Sequence, residues 1–139
     1  MGIQLTDDQK KAVTGEGALL VSAAAGSGKT AVLVERILYL LTRKEHPIDA
    51  DRLLVVTFTK AAAAEMRTRL MVRLSEEIAQ HPQDRNLIRQ QILLSKANIS
   101  TMDAFCLNLI QDYFEYLDLP PDFRVGGNGQ LVLLQSQAM

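Results

Sequence analysis

The residues best equipped for chemistry are Gly26-Ser27-Gly28-Lys29-Thr30. Glycines let a backbone curl closely round phosphate oxygens. The N–H groups that open a following helix then point at the anion, with the helix dipole behind them. In that setting Lys29 is placed to reach the β- and γ-phosphates of a nucleotide, and the Thr30 hydroxyl to bind Mg²⁺. The full stretch, Ala23-Ala24-Ala25-Gly26-Ser27-Gly28-Lys29-Thr30, matches G-x-x-x-x-G-K-[ST] at every position but the first. There Ala23 replaces glycine, a difference of one methyl group. The competing reading is a glycine-rich turn with no ligand.

The flanking elements decide between the two. Ala18-Leu19-Leu20-Val21-Ser22 reads as a buried strand entering the loop, and Ala31 to Leu38 as the helix leaving it. Strand, phosphate loop and helix in succession are the context in which the lysine–threonine pair binds nucleotide.

Upstream, Leu5-Thr6-Asp7-Asp8-Gln9 opens a short helix with Thr6 as N-cap and two acidic residues in the first turn. Gly15 and Gly17 end it. Gln9 has two uses that compete for one amide. It completes a capping box with Thr6, and it can donate and accept against an adenine edge.

Downstream, the loop helix is expected to run to Arg43-Lys44, and Pro47 blocks its continuation. Leu53-Leu54-Val55-Val56-Thr57-Phe58 is apolar on both faces, as a central parallel strand should be. One helix joins it to the Ala18–Ser22 run, so a right-handed parallel crossover is expected. Thr59-Lys60-Ala61-Ala62 starts a long helix that fades near His81-Pro82, with Arg67 and Arg69 read as solvated surface. A helix over Arg85–Lys96, a strand over Asn98–Thr101 and a helix from Met102 follow. Thr101 or Asp103 caps that last helix, and Phe105, Leu109 and Ile110 form its buried face. Cys106 is read as a small buried apolar residue. Gly126-Gly127-Asn128-Gly129 reads as a turn, and Gln130 to Met139 as the start of one more helix.

Bulk properties narrow the function classes. A chain of 139 residues with 47% hydrophobic and 22% charged residues is of ordinary globular type. The net charge of −1 requires any nucleic-acid binding to use a local groove. No stretch has the length of a membrane span, and Asp7 and Asp8 argue against a signal peptide. A single cysteine rules out an internal disulfide and suits the cytoplasm. His46 and His81 stand apart, so no metal-ligand cluster is visible. No apolar run leads into the acidic residues that hydrolysing P-loop enzymes use to hold Mg²⁺. The residues describe a nucleotide holder without the visible parts for turnover.

The order of these stretches resembles the first motifs of superfamily 1A helicases, the relatives of UvrD, Rep and PcrA. The stretches are Leu5-Thr6-Asp7-Asp8-Gln9, the Ala23–Thr30 loop, Thr57-Phe58-Thr59-Lys60-Ala61-Ala62 and Ile99-Ser100-Thr101-Met102-Asp103-Ala104-Phe105. Alanine at position 23 is usual there. GSGKTAVLVERI, PIDADRLLVVTFTKAAAAEMRTRL and YLDLPPDFRV are similar to the AddA family of helicase/nuclease proteins, called RexA in some Gram-positive bacteria. Ala31, directly after the lysine–threonine pair, matches that branch, whereas UvrD and PcrA usually carry arginine.

The resemblance implies an α/β, three-layer, RecA-like P-loop fold with a parallel sheet flanked by helices, here incomplete. Residues 1–139 would be the N-terminal part of the first motor domain of a longer protein. It implies ATP and Mg²⁺ as cofactors, with Gln9 on adenine and Ala23 to Thr30 on the phosphates. Lys29 and Thr30 would take the catalytic roles, with Thr30 on the metal. Phe58, Thr59, Lys60, Thr101 and Phe105 would lie along single-stranded DNA. Many relatives have histidine where Asp103 stands, and a carboxylate there favours a helix-cap role over a phosphate contact.

The parent enzyme would hydrolyse ATP to translocate on single-stranded DNA and unwind duplex in double-strand-break repair. An AddB/RexB-like second subunit would be its partner, with nuclease activity elsewhere and negligible turnover by this chain alone. Two other classes remain on the residues themselves. One is a small P-loop kinase, and the other a non-hydrolysing nucleotide- or DNA-binding module. Phe58 has its own alternative as a core residue ending an apolar strand.

Overall fold

The computed structural model describes residues 4–24, 26–127 and 136. Among the described residues, five α-helices and two strands occur in chain order. They are α1 (Asp7–Thr14), α2 (Lys29–Thr42), β1 (Leu54–Thr57), α3 (Lys60–Gln80), α4 (Arg85–Leu94), β2 (Asn98–Thr101) and α5 (Met102–Asp112). Short 3₁₀ turns cover Ala50–Arg52 and Phe114–Leu117. The chain divides into two compact units, with the boundary between Phe105 and Cys106 inside α5.

In the first unit the core is an interface between helices. Val34, Ile37, Leu38 and Leu41 recur at i, i+3, i+4 and i+7 on α2, and Ala63, Met66, Leu70 and Leu74 form the matching stripe of α3. Leu87 and Leu94 of α4 and Ile99 of β2 close the cluster. Each fully buried leucine contributes roughly 1.5–3 kcal/mol of transfer free energy. Helix starts follow local chemistry. The Thr59 hydroxyl accepts from Ala62 N–H at 3.1 Å, and Asp84 accepts from Asn86 and Leu87 N–H groups at 2.8 and 3.3 Å.

Strands β1 and β2 pair in parallel, with Val55 opposite Ile99 and Thr57 opposite Thr101. Two helices, α3 and α4, make the crossover between them. Val55 and Ile99 face the helical core, while Leu54 and Val56 are 50% and 38% exposed on the other face. Burial alternates along β1 because α3 covers one face only, so this strand is not buried on both sides as its composition suggested.

The largest departure concerns Ala18–Ser22, which forms no strand. Leu20 is 98% exposed, and Leu19 and Val21 are about half exposed. A strand needs a neighbour to satisfy its N–H and C=O groups. Among the described residues β1 and β2 pair only with each other, so this run has no partner and remains irregular. The expected right-handed crossover through α2 falls with it. The Gly15 site is set by crowding. A Cβ there would meet Lys11 O and Leu19 Cδ1, each at 2.8 Å.

Elsewhere the boundaries shift by a residue or two: α2 ends at Thr42 and α4 at Leu94. Helix α5 buries none of its residues, so Phe105, Leu109 and Ile110 form no core, and Cys106 is exposed. In the second unit the Tyr113 and Tyr116 rings lie 6.1 Å apart. Asn128, Gly129 and the helix expected from Gln130 lie outside the described residues, Ser136 excepted. No helix among the described residues is long and apolar enough to cross a membrane.

Candidate functional site

The phosphate loop is shaped by two left-handed glycines, Gly26 at φ +78° and Gly28 at φ +82°. A Cβ at Gly28 would meet Gln9 Nε2 at 3.6 Å, an ordinary contact. The residue is therefore dictated by backbone conformation and not by space. Gly28 is also the N-cap of α2, and it offers no side chain to the first-turn N–H groups. Those donors lie at the positive end of a 14-residue helix, an arrangement whose geometry and charge suit an anion.

Lys29 and Thr30 are the first two residues of α2. Lys29 Nζ donates to the carbonyls of Ala23 and Ala24 at 2.8 and 2.6 Å, so the ammonium is folded over the loop. Two of its three donors are engaged there, and one remains. Ser27 N–H donates to Ala24 O at 3.3 Å and closes the turn. Ala25 lies outside the described residues. Thr30 is exposed on the first turn.

Both uses read into Gln9 concern the same amide, and its valences show how far they conflict. Gln9 Oε1 accepts from Thr6 N–H at 2.9 Å, and the Thr6 hydroxyl accepts from Gln9 N–H at 3.3 Å, which completes the capping box. Gln9 Nε2 donates to Ser27 O at 3.3 Å, tying α1 to the phosphate loop. An amide oxygen accepts twice and its nitrogen donates twice. One acceptor site and one N–H remain, which is the pair an adenine edge requires. Capping and base reading are compatible. A cleft of about 230 Å³ lies here, lined among others by Gln9, Ser22, Ala23, Ser27, Lys29 and Val32.

The loop geometry and its donors fit a nucleotide polyphosphate. For Mg²⁺ the chain offers the Thr30 hydroxyl, and among the described residues no group of three or more His, Cys, Asp or Glu could hold a metal. Mg²⁺ commonly keeps several waters and binds through one or two carboxylates together with substrate phosphates, so Thr30 would supply one part of the protein's share.

The residues expected along DNA are only partly brought together. Lys60, at the first position of α3, and Thr101, at the end of β2, line one groove of about 450 Å³ with Ser100 and Arg67. Thr59 is turned to capping α3, and the Thr101 hydroxyl accepts from Ala104 N–H at 3.2 Å, capping α5. Asp103 sits in the first turn of α5, where a carboxylate suits the dipole. Phe58 is fully exposed, which overturns the core reading of that ring. Phe58 and Phe105 are not among the residues lining the groove.

Four polar side chains escaped the sequence. Arg67, read there as solvated, donates to Leu94 O and Ala97 O, each at 3.0 Å, and ties α3 to the entry of β2. Arg36 Nη1 donates to Ala12, Val13 and Gly15 carbonyls. Arg73 pairs with Glu35. Gln90, wholly buried, accepts from Ala50 N–H at 2.9 Å and donates to Asp49 Oδ1 and Asn86 Oδ1 at 3.0 and 3.1 Å. The partners that tie them across the fold lie 21 to 41 residues away, so no local pattern announces those bonds, although Arg73 also meets Glu76 and Glu77 within one turn and Gln90 meets Asn86. The available signal was a charged residue, Arg36, between the buried Val34 and Ile37 of α2.

Comparison with known proteins identifies the family. The family described as UvrD/REP helicase N-terminal domain matches residues 5–137. An ATP-dependent helicase/nuclease subunit from Thermoanaerobacter sp. (strain X514) is 53% identical over 139 residues, covering 99% of this chain. Proteins of the same name from Clostridium beijerinckii and Bacillus pumilus are 51% and 49% identical, each over 96% of it. The chain spans 11% of the length of each of these relatives.

Proposed function

As this chain belongs to the UvrD/REP helicase N-terminal domain family, we propose that it is the ATP-binding segment of an ATP-dependent DNA helicase/nuclease of the AddA type. The observation that carries this is the left-handed Gly28 presenting the open N-terminus of α2, with Lys29 folded over the loop. The Lys29 ammonium leaves the Ala23 and Ala24 carbonyls for the β- and γ-phosphates. The first-turn amides hold the phosphate oxygens, and Thr30 supplies one Mg²⁺ ligand. Gln9 reads adenine with its remaining acceptor and N–H while it keeps α1 capped.

The parent protein adopts the RecA-like three-layer fold, of which the parallel pair β1–β2 is a part. It acts in the cytoplasm with a second subunit of the AddB/RexB kind, moving on single-stranded DNA and opening duplex in break repair. Single-stranded DNA runs past Phe58, Thr59 and Lys60 and on to Thr101 and Phe105. In support, Lys60 and Thr101 line one groove and Phe58 offers an unobstructed ring for base stacking.

The test is a titration of ATP-Mg²⁺ and of oligo(dT) against wild type and Lys29→Ala. Loss of the charge-assisted contact should weaken ATP binding by roughly 1.5–3 kcal/mol. Oligo(dT) binding should be unchanged by this substitution. Unaltered ATP affinity in Lys29→Ala would remove the phosphate-loop assignment.

A further inference from the structure

We propose that Arg36 is a positioning residue for base selection, clamping α1 to α2 so that Gln9 stands over the phosphate loop. The inference rests on the adenine role given to Gln9 above. Arg36 Nη1 donates to Ala12 O at 2.9 Å, Val13 O at 3.3 Å and Gly15 O at 2.9 Å. The first two belong to the last turn of α1, where carbonyls lack intrahelical partners and the dipole is negative. A guanidinium fits both needs at once.

The clamp matters because α1 cannot hold itself. It has eight residues, and isolated helices below about 12–15 residues are marginal in water. Val13 is its one buried residue. Helix α1 packs against α2, and is further tied through Arg36 at its C-terminal end and through Gln9 to Ser27 O nearer its start. The spacing on α2 aligns the two functions. Lys29, Val32 and Arg36 fall at i, i+3 and i+7 on one helix face and line one cavity of about 200 Å³ together with Ala12. One face of α2 thus carries the phosphate ligand at its start and, two turns on, the anchor of the helix that bears the base reader.

The test compares dissociation constants for ATP, GTP and inorganic tripolyphosphate, all with Mg²⁺. The proteins are wild type, Arg36→Lys, Gln9→Ala and the double variant. Lysine keeps the positive charge at the end of α1, but its side chain is one atom shorter and cannot put a nitrogen where Nη1 reaches all three carbonyls. In Arg36→Lys the preference for ATP over GTP should fall by about tenfold, the scale of one lost contact, while tripolyphosphate affinity stays within about twofold. The double variant should discriminate no worse than Gln9→Ala, because a residue acting through another is not additive with it. Amide exchange in α1 should quicken in Arg36→Lys with α3 unchanged, a readout independent of ligand.

Equal losses for ATP and tripolyphosphate, additive effects, or unchanged exchange in α1 would overturn the role of Arg36. A wild type without preference for ATP, or Gln9→Ala retaining one, removes the adenine reading itself and this inference with it. That failure shows in proteins that keep Arg36, so the two are told apart.

Discussion

Arg73 of α3 and Glu35 of α2 form a forked ion pair, Nε to Oε1 at 2.7 Å and Nη2 to Oε2 at 3.3 Å, with both side chains only 14% exposed. Glu76 and Glu77 complete a ring of carboxylates around the guanidinium. The hydrogen bond from Arg73 to Glu35, reinforced by Glu76 and opposed by burial, holds the arginine charged well beyond its ordinary range. This pair joins the helix that starts at the phosphate loop to the one that starts at Lys60.

Removing one partner strands the other in a poorly hydrated place. Arg73→Ala should destabilise the chain by about 3 kcal/mol in urea unfolding, since a broken buried pair costs more than an intact one contributes. A folded pKa raised above the unfolded value gives stability that is complete below the unfolded pKa and lost only on rising through the folded one. Between about pH 6 and 9, therefore, no step in stability should be traceable to Arg73. A loss under about 0.5 kcal/mol would class the pair with ordinary surface bridges.

Gly28→Ala separates strain from crowding. The site has room for a methyl group, but its φ of +82° is costly for an L-residue. Stability should fall by roughly 1–2 kcal/mol, and ATP affinity with it, because relaxing φ re-aims the first amides of α2. Full ATP affinity in this variant would show that the left-handed turn is dispensable for phosphate binding.

Phe58 and Lys60 should divide stability from DNA binding. Phe58 is fully exposed, so Phe58→Ala should leave the unfolding midpoint in place while oligo(dT) binding weakens by roughly 1–3 kcal/mol. Lys60→Ala should lower the slope of log K against log salt by about 0.7, one phosphate contact on a single strand. A fall in stability without a change in oligo(dT) affinity would return the ring to a structural role.

Arg67 and Arg69 look alike in the sequence and should behave differently. Arg67 holds two carbonyls at the α4–β2 junction, so Arg67→Ala should cost about 1–3 kcal/mol. Arg69 pairs with Glu65 one turn away on the exposed side of α3, so Arg69→Ala should cost under about 1 kcal/mol. Equal costs measured by thermal unfolding would contradict the bridge.

Much of this molecule was legible because the signals are local. The Thr6 capping box, the helix start at Thr59-Lys60, the strand over Asn98–Thr101 and the glycine–lysine–threonine turn each depend on residues within about four positions of one another. The helices α2 and α3 were legible as helices, whereas their buried stripes, Val34 to Leu41 and Ala63 to Leu74, were shown by the structure.

The tertiary structure alone decided what depends on distant partners. Apolar composition cannot say whether a strand will find a neighbour, so Ala18–Ser22 and the exposed face of β1, with Leu54 and Val56, depart from the expected buried strands. Charge cannot say where a guanidinium will end, so apart from the place of Arg36 between two buried residues of α2, nothing in the sequence marks Arg36, Arg67 and Arg73 as ties between helices. Residues close in sequence determined the phosphate loop. Carbonyls and carboxylates far along the chain determined how the helices around it are held, because a hydrogen bond is specified by position in space and not by residue type.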